Sequence, residues 1–141
     1  MLTYGIPSYK LEKDVVEAEI DIIRALGVEI KCGVEVGKDI TLDELRKDGY
    51  EAFYIAIGCQ GSRKSGVDGE DTDGVMSAVD ILHEIAENHD LNLKGNKTVV
   101  IGGGNVAVDV ARSTKRCGAD VLGMFCLESR EEMPASEEEN F

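Results

Sequence analysis

Thr98-Val99-Val100-Ile101-Gly102-Gly103-Gly104-Asn105-Val106-Ala107 decides the fold. Its first four residues are β-branched and read as a buried strand. Three glycines end the run. From Asn105 to Arg116 apolar residues then recur at helical spacing, with Val106, Val110 and Ala111 expected to face inward. Gly118 stops that helix, and Val121-Leu122-Gly123-Met124-Phe125-Cys126 reads as a second strand. Strand, helix and strand from Thr98 through Cys126 make one βαβ unit of about the 30 residues that such a unit needs.

The turn inside that unit spells Gly102-x-Gly104-x-x-Ala107, the dinucleotide fingerprint, and Gly103, Asn105 and Val106 fill its open positions. Gly102 lets the chain turn sharply out of the strand. Gly104 has no Cβ, so a pyrophosphate can approach the backbone. Ala107 is small enough for the helix to pack on the sheet. The helix start offers unpaired N–H groups and a partial positive charge to phosphates. A structural glycine turn has the same spelling; the strand before it and the amphipathic helix after it favour a dinucleotide. The residue ending the second strand faces the adenine ribose in such sites. Glu128 stands about 24 positions past Gly104, near the roughly 20 expected. A carboxylate there accepts from a ribose 2′-OH and repels a 2′-phosphate, which favours NAD(H) over NADP(H). The competing reading is a solvated glutamate beside Arg130.

Upstream, Val15, Val16, Ile20, Ile23 and Leu26 mark a helix from about Lys13 to Leu26, with Asp14 and Glu17 resembling a capping box and Gly27 as its stop. Val28 to Cys32 alternates like a strand, and residues 34–36 continue it or start another. Thr41-Leu42-Asp43-Glu44 is a better capping box, opening a short helix that ends near Gly49. Ala52-Phe53-Tyr54-Ile55-Ala56-Ile57 reads as a buried strand. Glycine-rich sequence from Gly58 to Gly74 marks the best domain boundary. A helix from about Ser77 follows, with Ala78, Ile81, Leu82 and Ile85 on one face.

Composition narrows the function. Of 141 residues, 28 are acidic and 15 basic, a net charge of −13, which opposes nucleic acid and anionic membranes as partners. Glu131, Glu132, Glu137, Glu138 and Glu139 concentrate that acid in what reads as a solvated segment. No apolar run approaches the roughly 20 residues of a membrane span, and the first residues do not resemble a secretory leader. Cys32, Cys59, Cys117 and Cys126 contain no Cys-x-x-Cys pair; they read as reduced thiols in apolar surroundings, in a cytoplasmic protein with no metal site of its own. His83 and His89 read as surface residues. Asp109 either orients the glycine loop or favours the helix dipole.

Further landmarks run through nearly the whole chain: Tyr4-Gly5-Ile6-Pro7, Lys10-Leu11, Leu26-Gly27-Val28, Val36-Gly37-Lys38, Ala56-Ile57-Gly58, Gly102 to Asn105, Asp109 and Glu132-Met133-Pro134-Ala135. In that order they resemble the glutamate synthase small-subunit family of NAD(P)H-dependent flavoproteins, to which the flavin and nicotinamide half of dihydropyrimidine dehydrogenase is related. The resemblance implies an α/β, Rossmann-like three-layer fold, with residues 1–65 part of an FAD-binding domain and residues 66–141 part of an inserted NAD(P)-binding domain. It places Lys10, the backbone at Val36 and the turn at Gly58 beside FAD, with Lys10 otherwise an ordinary surface lysine. Many relatives carry two arginines for a 2′-phosphate where this chain has Leu127 and Glu128, which again implies NAD(H). Ile57 replaces a threonine found in some relatives. An upstream FAD fingerprint, cysteines for iron–sulfur clusters and a closing C-terminal part are all missing, so the chain is expected to be part of a larger enzyme.

Two functions remain open. One is part of an oxidoreductase that passes hydride from NAD(P)H to FAD and electrons onward, with no catalytic side chain in this stretch. The other is a non-catalytic dinucleotide-binding or interaction module of an electron-transfer assembly, with iron–sulfur or other electron-transfer subunits as partners. In either case missing strand neighbours lead to an expectation of exposed apolar edges and a homo-oligomer or strand-exchanged dimer.

Overall fold

The computed structural model describes residues 1–59 and 61–136 together with Glu139. They form two compact units, Met1–Val16 with Gly61–Phe141, and Glu17–Gln60. Glu137 and Glu138 of the acidic cluster lie outside the described residues.

The first unit carries the βαβ motif. Strand β1 (Lys97–Ile101), helix α1 (Asn105–Arg116) and strand β2 (Asp120–Phe125) follow one another, and the strands pair in parallel. Val99 lies opposite Gly123, Val100 opposite Met124 and Ile101 opposite Phe125. Thr98 lies opposite Val121, so the ladder slips by one residue at Leu122. Helix α2 (Ala78–Glu87) precedes β1. Its N-cap, Ser77, accepts the Asp80 N–H through its hydroxyl, which satisfies one orphan donor of the first turn. Ile81 and Leu82 of α2, Val100 of β1 and Val110 of α1 form the buried core, flanked by Ala78, Ile85, Leu91, Ala107, Ala111 and Met124. Burying one such aliphatic side chain stabilises by about 1.5–3 kcal/mol, so this small cluster is what fixes α1 against the strand. The sheet's opposite face is bare: Val99, Ile101 and Phe125 are all exposed. Val106, expected to face inward, is 52% exposed. The buried stripe of α1 runs instead through Val108, Asp109, Val110, Ser113 and Thr114.

In the second unit, helix α3 (Leu42–Lys47) has the full capping box at Thr41. The Thr41 hydroxyl accepts the Glu44 N–H at 3.2 Å, and the Thr41 N–H donates to the Glu44 carboxylate at 2.8 Å. Hydrogen bonds from the Thr41 hydroxyl and then its backbone hold the Glu44 carboxyl below its ordinary value. Helix α4 (Lys13–Ala25) contains the unit boundary and buries none of its residues. It starts before Asp14, which sits inside the first turn and accepts the neighbouring Val15 N–H, so Asp14 and Glu17 form no capping box.

The strands expected over residues 28–36 and 52–57 do not form; a single bridge between Val36 and Ile40 is the only pairing among the described residues there. Tyr54, Ile55 and Ile57 are 94%, 73% and 79% exposed, not buried. The physical reason is pairing: an apolar run becomes a strand only beside another strand that takes its N–H and C=O groups. The apolar surroundings expected of the cysteines are also absent for three of the four. Cys32, Cys59 and Cys126 are exposed free thiols, and burial pushes the Cys117 thiol up. No helix among the described residues is long and apolar enough to cross a membrane.

Candidate functional site

The glycine turn leaves β1 with its geometry set by the sheet. Gly102 donates its N–H to the Phe125 carbonyl at 2.8 Å, carrying the ladder one residue past the strand. Its φ is +135°, in the region that favours glycine, and a Cβ built there meets the Ala107 Cβ at 3.3 Å. Gly102 and Ala107 are thus a fitted pair, as the fingerprint requires. Gly103 is buried and is glycine for a different reason. A Cβ there falls 3.0 Å from the Cβ and 3.2 Å from the Sγ of Cys126. At Gly104 a Cβ meets only the Pro134 Cγ, at 4.0 Å, so this position has room.

Gly104 is the N-cap of α1 and makes no side-chain cap hydrogen bond. Its carbonyl accepts the Ala107 and Val108 N–H groups. The N–H groups of Asn105 and Val106, both exposed residues, belong to the helix end that carries positive dipole charge.

A second segment lies on the turn. The Ala135 N–H donates to the Gly103 carbonyl at 3.1 Å, and the Ser136 N–H donates to the Asn105 Oδ1 at 2.8 Å. The Met133 Cε stands 3.5 Å from a Cβ built at Gly103, and Ala135 is 7% exposed. Sequence reasoning saw Glu132-Met133-Pro134-Ala135 only as a landmark. A Pro next to small residues carries no sign of what it packs against, so its place on the turn was not legible.

Charge is arranged beside this contact. Lys10 forms ion pairs with Asp109, at 2.5 Å, and with Glu139, and Arg112 pairs with Glu139 as well. Burial pulls the Lys10 ammonium down, but hydrogen bonds to Asp109 and then Glu139 outweigh it and hold Lys10 above its ordinary value. The hydrogen bond from Lys10 is the main cause that holds the Glu139 carboxyl below the usual carboxylate range. Asp109 lies past the first turn of α1, a buried residue whose carboxylate pairs with Lys10. His83 is half-buried, with its ring 4.3 Å from that of Tyr4 and its Nε2 3.0 Å from Glu87.

Glu128 is exposed, three residues beyond the end of β2, and its carbonyl accepts the Cys126 thiol at 3.5 Å. Val36 and Gly58 belong to the second unit. Val36 is exposed in the isolated bridge, and Gly58 is an exposed loop glycine with φ of +67°. With no sheet flanking them, they show no built cradle for a flavin. The glycine turn does fit a diphosphate, because a tight bend without Cβ atoms opens onto an uncapped helix end.

A parallel βαβ unit with this turn defines the Rossmann-like α/β class. The chain belongs to the pyridine nucleotide-disulphide oxidoreductase family, whose pattern matches residues 2–134. It is 44% identical over 137 residues to the NADP(+)-dependent formate dehydrogenase subunit beta of Moorella thermoacetica, covering 96% of this chain and 19% of that one. It is 35% identical over 149 residues to the glutamate synthase [NADPH] small chain of Escherichia coli, covering 99% and 31%. With the NADPH-Fe(3+) oxidoreductase subunit beta of Geobacter sulfurreducens it shares 38% over 138 residues, covering 96% and 20%. The chain thus spans about a fifth to a third of the length of these relatives. The solved structure of Mycobacterium tuberculosis FprA in complex with NADPH superposes with a TM-score of 0.72, covering 98% of this chain and 36% of that one at 22% identity, which shows the shared fold.

Proposed function

We propose that this chain binds a nicotinamide dinucleotide at the glycine turn and serves in a flavoprotein oxidoreductase related to the glutamate synthase small chain. The single observation that carries it is the turn itself: Gly102 at φ +135°, closed against Ala107, opening onto a helix start without a side-chain cap. Gly102, Gly103 and Gly104 keep the backbone low, and the Asn105 and Val106 N–H groups receive the diphosphate. When bound, the nicotinamide supplies hydride chemistry with FAD as the acceptor. Residues 1–65 would belong to the FAD-binding part and residues 66–141 to the nicotinamide part; Lys10, Val36 and Gly58, which build no flavin cradle by themselves, would contribute to FAD binding only together with the rest of such an enzyme. The relatives named as beta subunits and small chains support partner subunits for electron transfer. The bare sheet face at Val99, Ile101 and Phe125 supports association, either with such a subunit or with a second copy.

Within that function, Glu128 supports NAD(H). Its charge repels a 2′-phosphate. The relatives argue the other way, since each of the three carries NADP(H) in its name. Calorimetric titration with NADH and NADPH separately decides both points. Binding of NADH ahead of NADPH, with Glu128→Arg moving the preference toward NADPH, is the expected result. Tighter NADPH binding by the unaltered chain sinks the NAD preference, and no binding of either sinks the function.

A further inference from the structure

We infer that the segment Met133–Ser136 is the second wall of the dinucleotide site and that Ser136 is a positioning residue, its backbone N–H setting the Asn105 side chain for a phosphate. This rests on the dinucleotide reading of the turn.

Asn105 opens α1 at the point where the turn ends. Its amide has one acceptor and two donors, and only the hydrogen bonds it makes decide which end points where. The Ser136 N–H engages Oδ1 at 2.8 Å. That bond occupies the acceptor and leaves the NH2 group as the end that faces a ligand. A phosphate oxygen accepts and never donates, so an Asn105 turned the other way would present oxygen to oxygen. The neighbouring bond from the Ala135 N–H to the Gly103 carbonyl removes another acceptor from the turn. Both bonds take carbonyl-type oxygens out of a place meant for an anion. Met133 and Pro134 stand beside Gly103 and Gly104, and an NH2 group that faces a phosphate makes a charge-assisted hydrogen bond. Glu139 ties the chain beyond the strap to Arg112 of α1 and to Lys10.

The opposite idea, a strap that occludes the turn and leaves when the nucleotide arrives, makes contrary predictions. The test is calorimetric titration of the full chain with NADH and NADPH, comparing Ser136→Ala with Ser136→Pro. Alanine keeps the N–H and proline deletes it. Ser136→Ala should bind within about twofold of the unaltered chain, whereas Ser136→Pro should lose about tenfold, the size of one hydrogen bond to a charged group. Hydrogen exchange on the unaltered chain provides a readout that needs no variant. The Ser136 amide should stay protected with dinucleotide bound, while the Asn105 side-chain NH2 resonance moves. Equal or tighter binding by Ser136→Pro, or loss of Ser136 protection in the complex, overturns the inference while leaving the dinucleotide reading intact. No binding by the unaltered chain overturns both.

Discussion

Replacing Gly103 by alanine puts one methyl group against the side chain of Cys126, the residue that follows β2. The new Cβ lies 3.0 Å from the Cys126 Cβ, 3.2 Å from its Sγ and 3.5 Å from the Met133 Cε. Carbon atoms prefer about 3.5–4.0 Å. The sulfur can swing away by a rotamer change, but a Cβ is fixed to its backbone, so β2 or the turn must shift by about half an ångström. Gly103 has no positive φ, so alanine adds no backbone strain and the whole cost is steric. Overpacking of this kind costs about 1–3 kcal/mol. At about 2 kcal/mol the melting temperature falls by roughly 6–8 °C for a chain of this size. Cys126→Gly removes both offending atoms and leaves only the ordinary Met133 contact. In that background Gly103→Ala should cost nothing and gain a few tenths of a kcal/mol from the stiffer unfolded chain. Urea denaturation of the four proteins of the cycle therefore yields a coupling of about 2 kcal/mol. An equal cost of Gly103→Ala in both backgrounds refutes the assigned contact.

Lys10→Met leaves Asp109 buried without its counter-charge and should cost on the order of 1–3 kcal/mol in the same urea assay, more than Asp109→Asn; a smaller loss than for Asp109→Asn counts against the pairing. Because Lys10 is held above its ordinary value, its contribution is complete below that value and disappears as pH rises through the raised one. Glu139 is held below its ordinary value, so its contribution is present above the usual carboxylate range and disappears as pH falls through the lowered one. Thermal melts across pH should show both declines, and Glu139→Gln should flatten the acid one. Thr41→Ala should speed hydrogen exchange of the Glu44 amide, since the hydroxyl that accepts it is gone.

Much of the nucleotide unit was legible because its determinants are local. Thr98 to Ile101 is β-branched, Asn105 to Arg116 is periodic, and Gly118 ends the helix, so the strands and helix fall within a residue of the expected bounds. The box at Thr41 was readable for the same reason: it is closed by a residue three positions away. Residues 52–57 carry as strong a strand signal, yet form none, because pairing depends on a neighbour that a local pattern does not contain. Val106 was misplaced because spacing gives the apolar stripe of α1 but not which side the core takes; the stripe through Asp109 faces inward once Lys10 neutralises it. The contacts of Ser136 with Asn105 and of Glu139 with Lys10 join residues far apart in sequence, and nothing in either segment names its partner.

The central claim is that a dinucleotide lies along the turn from Gly102 to Ala107. Its most direct measurement is a backbone amide NMR titration of the full chain with NADH and with NADPH. The largest shifts are expected at the Gly103 to Ala107 amides, with Glu128 following for the preferred nucleotide. Saturation with those amides unmoved, or with shifts confined to residues away from the turn, contradicts it.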